Sequence, residues 1–252
     1  MSRNTAFPSV LRTPEADWPT ALIDTGSANL DRRLGGGLTR GALHEVYADD
    51  NDFFDAAAGF ALMLACRGHG DKPIVWVRED RSENGHGRLY APGISALGAD
   101  PAAIILVTGP DALAVMRAGA DIVGCSAVGA VVIEPWGDAP ILNLTSSRRL
   151  ALTAARSGVL TLVLRAGAVP TPSAATTRWS VAAAPSTVLP ANAPGRPALN
   201  ISLLRHRGGI AGFEARVEWD CDQRRFSDTS LSGGVPAAAP DRMFADIGRC
   251  AA

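Results

Sequence analysis

The sequence predicts an α/β fold: an open, doubly wound and mostly parallel sheet, followed by an antiparallel hairpin at the carboxyl end. Between residues 42 and 164, short and continuously apolar segments alternate with helix-like segments, which is typical of parallel strands covered on both faces by helices. After Arg165 the pattern changes, and segments 199–205 and 213–219 flank a Gly-containing turn. Such a pair of segments indicates a hairpin.

The chain has 252 residues, of which 47% are apolar, enough for one sizeable core. We expect a flexible arm over residues 1–20, where Pro8, Pro14 and Pro19 interrupt any periodicity. Residues 21–226 would form the α/β domain. Residues 227–252 are small, polar and rich in Gly and Pro, so we expect a disordered tail.

Each element has a local signal. The first helix would start at Ser27, a good N-cap, and stop at the run Gly35, Gly36 and Gly37. Further helices are expected at 53–67, 110–119 and 145–157, the last capped by Thr145 or Ser146. Buried strands are expected at 42–47, 73–77, 102–107, 128–133 and 159–164, a half-exposed strand at 177–183, and a short last strand at 224–226. Segment 88–97 is predicted to be loop-rich.

Composition excludes several classes of protein. The formal net charge of -1 gives no global attraction to nucleic acid, so any DNA contact needs a local basic patch. The four cysteines are scattered, without CxxC spacing, and the histidines show no ligand spacing with them, which argues against zinc. The first residues contain no apolar signal segment. We therefore expect a soluble cytoplasmic protein with reduced thiols.

Two regions carry a family resemblance. TGSANLDRRLGGGLTRGALHEVY resembles the segment that leads into the phosphate loop of RecA-like ATPases, and TTRWSVAAAPS with LLRHRGGIAGFEARVEWD is similar to the C-terminal part of the ImuA family. The resemblance covers residues 20–226. It implies a RecA-like fold and a role in SOS-induced translesion synthesis. The partners it implies are ImuB, an inactive relative of Y-family polymerases, and an error-prone C-family DNA polymerase, with RecA as a further candidate.

The phosphate loop of that superfamily is degenerate in this chain. A working loop reads GxxxxGK[ST], whose amides cradle phosphate, whose lysine neutralises it and whose hydroxyl holds magnesium. Aligned on the strand that precedes it, the loop reads Ala48, Asp49, Asp50, Asn51, Asp52, Phe53, Phe54 and Asp55. Phe54 replaces the lysine and Asp55 the hydroxyl, and Lys72, the only lysine of the chain, lies a full helix away. The sequence therefore predicts no catalytic residue, no cofactor and no metal site.

Two interpretations of the acidic loop stay open. The carboxylates can serve as caps for the following helix, or they can form a docking surface for a basic partner. The strand 128–133 ends in Glu134, where RecA-like ATPases place the Walker B aspartate. Glu79 follows strand 73–77, where those ATPases place a water-activating glutamate. Without a phosphate loop, we interpret both as relics or packing residues.

Contacts with DNA or with proteins have three candidate regions. Arg148 and Arg149, near the start of a helix, form either a solvated face or a phosphate contact. Arg205 and Arg207 mark a basic hairpin tip that contacts DNA or an acidic partner, or serves solubility alone. Met243 and Phe244 stand out in the polar tail; they would anchor it to a partner or pack back on the domain.

The sequence therefore favours a non-catalytic RecA-like accessory protein that acts as a scaffold. Two alternatives remain. One is an active ATPase that holds nucleotide with an atypical loop. The other is a cell-division inhibitor related to SulA. The fold glycines Gly35 to Gly37 are kept while the phosphate loop is lost, and this pairing favours the scaffold.

Overall fold

A computed structural model describes residues 21–165, 167–189, 193 and 195–228. The predicted arm and most of the predicted tail, with Met243 and Phe244, lie outside the described residues. The strands are β1 (Leu22–Ile23), β2 (Leu38–Thr39), β3 (Leu43–Ala48), β4 (Ile74–Glu79), β5 (Ile104–Gly109), β6 (Ala130–Glu134), β7 (Leu160–Arg165), β8 (Thr177–Ala184), β9 (Ala198–His206), β10 (Phe213–Asp220) and β11 (Arg225–Asp228). The α-helices are α1 (Ala28–Arg33), α2 (Phe54–Gly68), α3 (Asp80–His86), α4 (Ala91–Ala96), α5 (Ala112–Val123) and α6 (Leu144–Ser157).

A nine-stranded mixed sheet organises the molecule, in the order β11-β10-β9-β8-β3-β7-β6-β4-β5. Strands β3 to β8 pair in parallel, and β8 to β11 pair antiparallel. Helix α2 packs on one face of the sheet, and α5 and α6 pack on the other. The predicted fold class is confirmed, including the antiparallel hairpin of β9 and β10.

Local signals placed the first helix correctly. The Ser27 hydroxyl accepts a hydrogen bond of 3.0 Å from the Leu30 amide, as an N-cap does. The glycine run that follows has positive φ at all three positions. A side chain at Gly37 would collide with the backbone of Ile23, so glycine there lets β2 lie beside β1. The glycine run of the RecA-like segment therefore has a structural role in this fold.

Several predicted elements need correction. Strand β5 was predicted to be buried, but it lies at the sheet edge, and Ile105 and Leu106 are 50% and 44% exposed. Strand β8 was predicted to be half-exposed, yet its first five residues are buried, because it lies between β3 and β9. Segment 88–97 was predicted to be loop-rich, and α4 occupies part of it.

The start of α6 and the end of β11 also differ from the prediction. Helix α6 is capped by Asn143, not by Thr145 or Ser146; the Asn143 side chain accepts hydrogen bonds from both of their amides, and the Ser146 hydroxyl accepts one from the Asn143 amide. Strand β11 runs through Asp228, two residues beyond the predicted domain end at 226. The Asp228 carboxylate accepts hydrogen bonds from the Ser27 hydroxyl and the Asn29 amide, which ties this strand to α1.

Candidate functional site

The candidate site lies at the carboxyl edge of the parallel strands, where doubly wound folds bind ligands. Strand β3 ends there at Ala48, β6 at Glu134 and β7 at Arg165. Strand β7 separates β3 from β6 in the sheet. The degenerate phosphate loop and Glu134 therefore lie at the same edge, as the RecA-like resemblance implied.

The degenerate loop is bonded to the neighbouring strand β8. The Asp49 amide donates a hydrogen bond of 2.9 Å to the carbonyl of Val181, and the Asp49 carboxylate accepts one of 2.8 Å from the Ser180 hydroxyl. A single 3-10 turn over Asn51–Phe53 then leads into α2. The amide and the carboxylate of Asp49 thus both bond within the sheet, whereas a phosphate loop directs its amides at the ligand.

The start of α2 bears on the first of the two interpretations, in which the carboxylates cap the helix. Phe53 is the N-cap residue, and it makes no side-chain hydrogen bond to the helix. Its own amide donates 2.9 Å to the carbonyl of Asp50. Asp52, within the 3-10 turn, and Asp55, in the first turn of α2, are exposed to solvent. No carboxylate therefore acts as the N-cap of α2, although Asp55 places a negative charge in its first turn.

Phe54, at the position of the phosphate-binding lysine, points into the protein and is only 5% exposed. Its ring stacks on that of His86, with centroids 3.6 Å apart and an interplanar angle of 14°. His86 in turn contacts Trp136 at 4.9 Å. Burial lowers the pKa of His86, against an opposing effect of Asp55, so the neutral ring is favoured. We name Phe54, His86 and Trp136 the aromatic plug.

Sequence reasoning missed most of this plug. His86 belongs to α3, which was not predicted, and Trp136 was not among the candidate site residues. One signal was available: Gly85 precedes His86, and a side chain at that position would collide with the Trp136 ring. A glycine inside a helix is unfavourable unless another group approaches closely. Gly85 therefore marks the contact between α3 and Trp136.

Glu134 is a buried ion-pair partner. Its carboxylate lies 3.0 Å from the guanidinium of Arg78 and accepts a hydrogen bond of 2.7 Å from the Trp76 indole. Both charged side chains are buried, and burial raises the pKa of Glu134 while Arg78 opposes that rise. Glu79 is also buried and accepts a hydrogen bond from the Trp136 amide. Both carboxylates are thus engaged in contacts within the protein.

Two hollows open at this edge. A small one of about 200 Å³ lies between Ala48–Asp50 and the segment 167–169. A larger one of about 560 Å³ lies between residues 138–144 and 169–172, at the start of α6. The Arg165 guanidinium donates a hydrogen bond of 2.7 Å to the carbonyl of Asp138, a residue that lines the larger hollow. The larger hollow has a mostly apolar lining.

The predicted basic contacts do not form one surface. Arg148 and Arg149 are exposed on α6. Arg207 is exposed beside the hairpin turn, but Arg205 is half-buried and donates a hydrogen bond of 3.0 Å to the carbonyl of Ser173. Because β9 ends opposite the first residues of β8, this tip lies at the amino edge of the sheet, away from the degenerate loop.

Other kinds of site find little support. The described part of the chain brings together no group of three or more His, Cys, Asp or Glu side chains suited to a metal ion. Cys66, Cys125 and Cys221 are free thiols, and burial raises the pKa of Cys66 to about 11. Among the described residues, no helix is both long enough and apolar enough to cross a membrane.

Comparisons with known proteins agree with the fold and with the family resemblance described above. The chain is 33% identical over 211 residues to Protein ImuA from two strains of Caulobacter vibrioides, NA1000 / CB15N and ATCC 19089, and the match covers 77% of this chain and 82% of the relative. The chain belongs to the ImuA family. The solved structure of the RadB recombinase matches this ImuA-family chain with a TM-score of 0.53 at 17% identity, over 83% of this chain and 100% of RadB. That similarity establishes a RecA-like fold. No protein-family model matches the chain.

Proposed function

We propose that this ImuA-family protein is a non-catalytic accessory protein of damage-induced mutagenesis, acting in the cytoplasm by binding other proteins. One observation carries the proposal: the side chain that replaces the phosphate-binding lysine is buried. Phe54 stacks on His86 at 3.6 Å, so an aromatic plug lies beside the position that a lysine ammonium would need to reach. A nucleotide phosphate at this edge would meet no neutralising side chain from the loop.

Charge at the same edge supports the proposal. Asp49, Asp52 and Asp55 are exposed around the loop, and they would repel a polyphosphate. The carboxylate at the Walker B position, Glu134, is bonded to Arg78 and Trp76 and would have to leave both to hold magnesium. Hydrolysis would therefore require the buried core of this edge to rearrange.

The partners follow from the family resemblance. We propose that the protein binds an ImuB-like relative of Y-family polymerases and an error-prone C-family DNA polymerase, and so supports translesion synthesis, with RecA as a third candidate. A RecA-like fold is suited to such binding, because a rigid sheet presents its edges and outer helices as fixed surfaces. A scaffold of this kind needs no nucleotide.

The test combines two measurements on the full chain. ATP with magnesium is titrated into the purified protein, and turnover is followed with radiolabelled ATP; we expect neither saturable binding nor hydrolysis. The purified ImuB-like protein, polymerase and RecA are then tested for direct binding, and we expect at least one complex. Magnesium-dependent ATP hydrolysis that is lost in Glu134→Gln, or the absence of every complex, would contradict the proposal.

A further inference from the structure

Helix α6 exposes apolar side chains on the face that points away from the sheet. Leu150 and Ala154 are buried against the core, as an amphipathic helix requires. On the opposite side, Leu144 and Leu152 are 41% and 59% exposed. Leu144, Arg148 and Leu152 follow at four-residue intervals and so share one face. This outer face therefore presents two exposed leucines, one on each side of Arg148.

The exposed leucines continue into the larger hollow of the carboxyl edge. Leu144 belongs to both, and the hollow of about 560 Å³ is also lined by Pro140, Leu142, Val169 and Pro172. Ile141 and Val169 extend the exposed apolar area at its rim. A hollow of this volume is large enough for one or two side chains of a ligand. The hollow and the outer face of α6 together form one surface, on which a helical segment of another protein can lie with an apolar side chain in the hollow.

The charges on α6 itself are all positive, whereas the exposed Asp138 lines the hollow beside it. Helix α6 contains Arg148, Arg149 and Arg156 and no acidic residue. All three arginines are exposed, and within the described residues none lies within ion-pair distance of a carboxylate. Arg148 and Arg149 precede Leu152 by about one turn, and Arg156 follows it by one turn. We name the α6 surface by its members: Ile141, Leu144, Leu152 and Val169, with Arg148, Arg149 and Arg156.

We propose that the α6 surface docks an amphipathic acidic segment of a partner protein, with apolar anchors on Leu152 and in the hollow and carboxylates on the arginines. The inference rests on the proposed function, since it names the chemistry of the partner. Helical segments bind apolar grooves through anchors spaced one turn apart, and opposite charges at the rim set orientation and association rate. Exposed leucines at the centre of the surface favour a protein segment over a phosphate backbone, which requires only the arginines.

A matched pair of variants tests the surface. Arg148→Glu with Leu152→Glu changes the α6 surface. Leu113→Glu with Arg117→Glu makes the same changes, also four residues apart, on the exposed face of α5. Both variants alter charge by the same amount at exposed helical positions, so thermal melts should agree closely. Binding of each full-length variant to the purified ImuB-like protein and C-family polymerase is then measured by titration.

We expect the α6 variant to bind at least about tenfold more weakly to one partner, as loss of an interface anchor does, while the α5 variant stays within about twofold of the unmodified chain. Equal binding by both variants would overturn the inference and leave the proposed function intact. If the unmodified chain binds neither polymerase-related protein nor RecA, the proposed function itself fails, so the two failures are distinguishable.

A peptide experiment identifies the chemistry of the occupant. Overlapping peptides of about 20 residues, covering the partner that binds, are titrated against the full chain. We expect binding by segments that combine Leu or Phe with an excess of Asp and Glu, weakened by Leu152→Glu and by added salt. Three results would overturn the assignment: dimerisation of the chain that Leu152→Glu abolishes, tighter peptide binding when residues 229–252 are deleted, or single-stranded DNA binding that Arg148→Glu removes and Leu152→Ala does not.

Discussion

The replacement of Glu134 by Gln tests whether the Walker B carboxylate is structural. Gln keeps the shape and can still accept from Trp76, but it leaves Arg78 as a buried cation without a counter-charge. At the observed 3.0 Å and an effective dielectric constant near 20, the lost attraction is about 5.5 kcal/mol. Measured losses on breaking one partner of a buried pair are about 3–5 kcal/mol, so we expect the free energy of unfolding to fall by roughly 3 kcal/mol.

Urea denaturation followed by circular dichroism measures this change, and the double variant Arg78→Met with Glu134→Leu is its control. Removing both charges eliminates the unpaired cation, so the double variant should be more stable than Glu134→Gln by about 1 kcal/mol or more. A Glu134→Gln protein as stable as the unmodified chain would refute the assignment of Glu134 to the core. If ATP hydrolysis disappeared in that same variant, the carboxylate would be catalytic.

Three further predictions concern the core and the sheet edge. The His44→Gln variant should lose a pH dependence of stability, because burial lowers the pKa of His44 to about 4. As the pH falls from 7 to 4, the unfolded chain binds a proton at His44 that the native chain does not. The free energy of unfolding of the unmodified protein should therefore fall by about 3 kcal/mol more than that of the variant. Phe54→Lys should lower stability by roughly 2–4 kcal/mol in thermal melts without creating saturable ATP binding. Ile105→Lys on exposed β5 should change stability by less than about 1 kcal/mol, whereas Val75→Lys in the neighbouring buried strand should prevent folding, as circular dichroism would report.

The fold could be predicted from the sequence, and the absence of a phosphate-loop motif could be read from it directly, because both depend on local or periodic signals. Runs of apolar residues mark strands whatever their partners are, and a GxxxxGK[ST] motif is either present or absent at a defined position. The entry glycines, from Gly35 to Gly37, belong to the same class, since backbone conformation requires them where they stand.

The remaining features depend on contacts between distant parts of the chain. Strand β5 has the composition of a buried strand, and only its place at the sheet edge exposes Ile105. Strand β8 alternates like a half-exposed strand, and its position between β3 and β9 buries Arg178 against Glu45. The contact of Phe54 with His86 joins two helices, and no periodicity in either predicts it.

The residues at the positions of the phosphate loop and of the Walker B carboxylate make contacts within the protein, and we therefore expect that single substitutions will not create a nucleotide site. Asp49 now holds the loop to Ser180, Phe54 fills the space under His86, and Glu134 balances Arg78. Each group satisfies a neighbour that would otherwise lose its hydrogen bond, packing contact or counter-charge. A lysine, a glycine or an unpaired carboxylate introduced alone at these positions would therefore destabilise the protein without creating a phosphate site. Surfaces that bind partners face no such constraint, and the outer face of α6 can change its leucines and arginines without disturbing the sheet behind it.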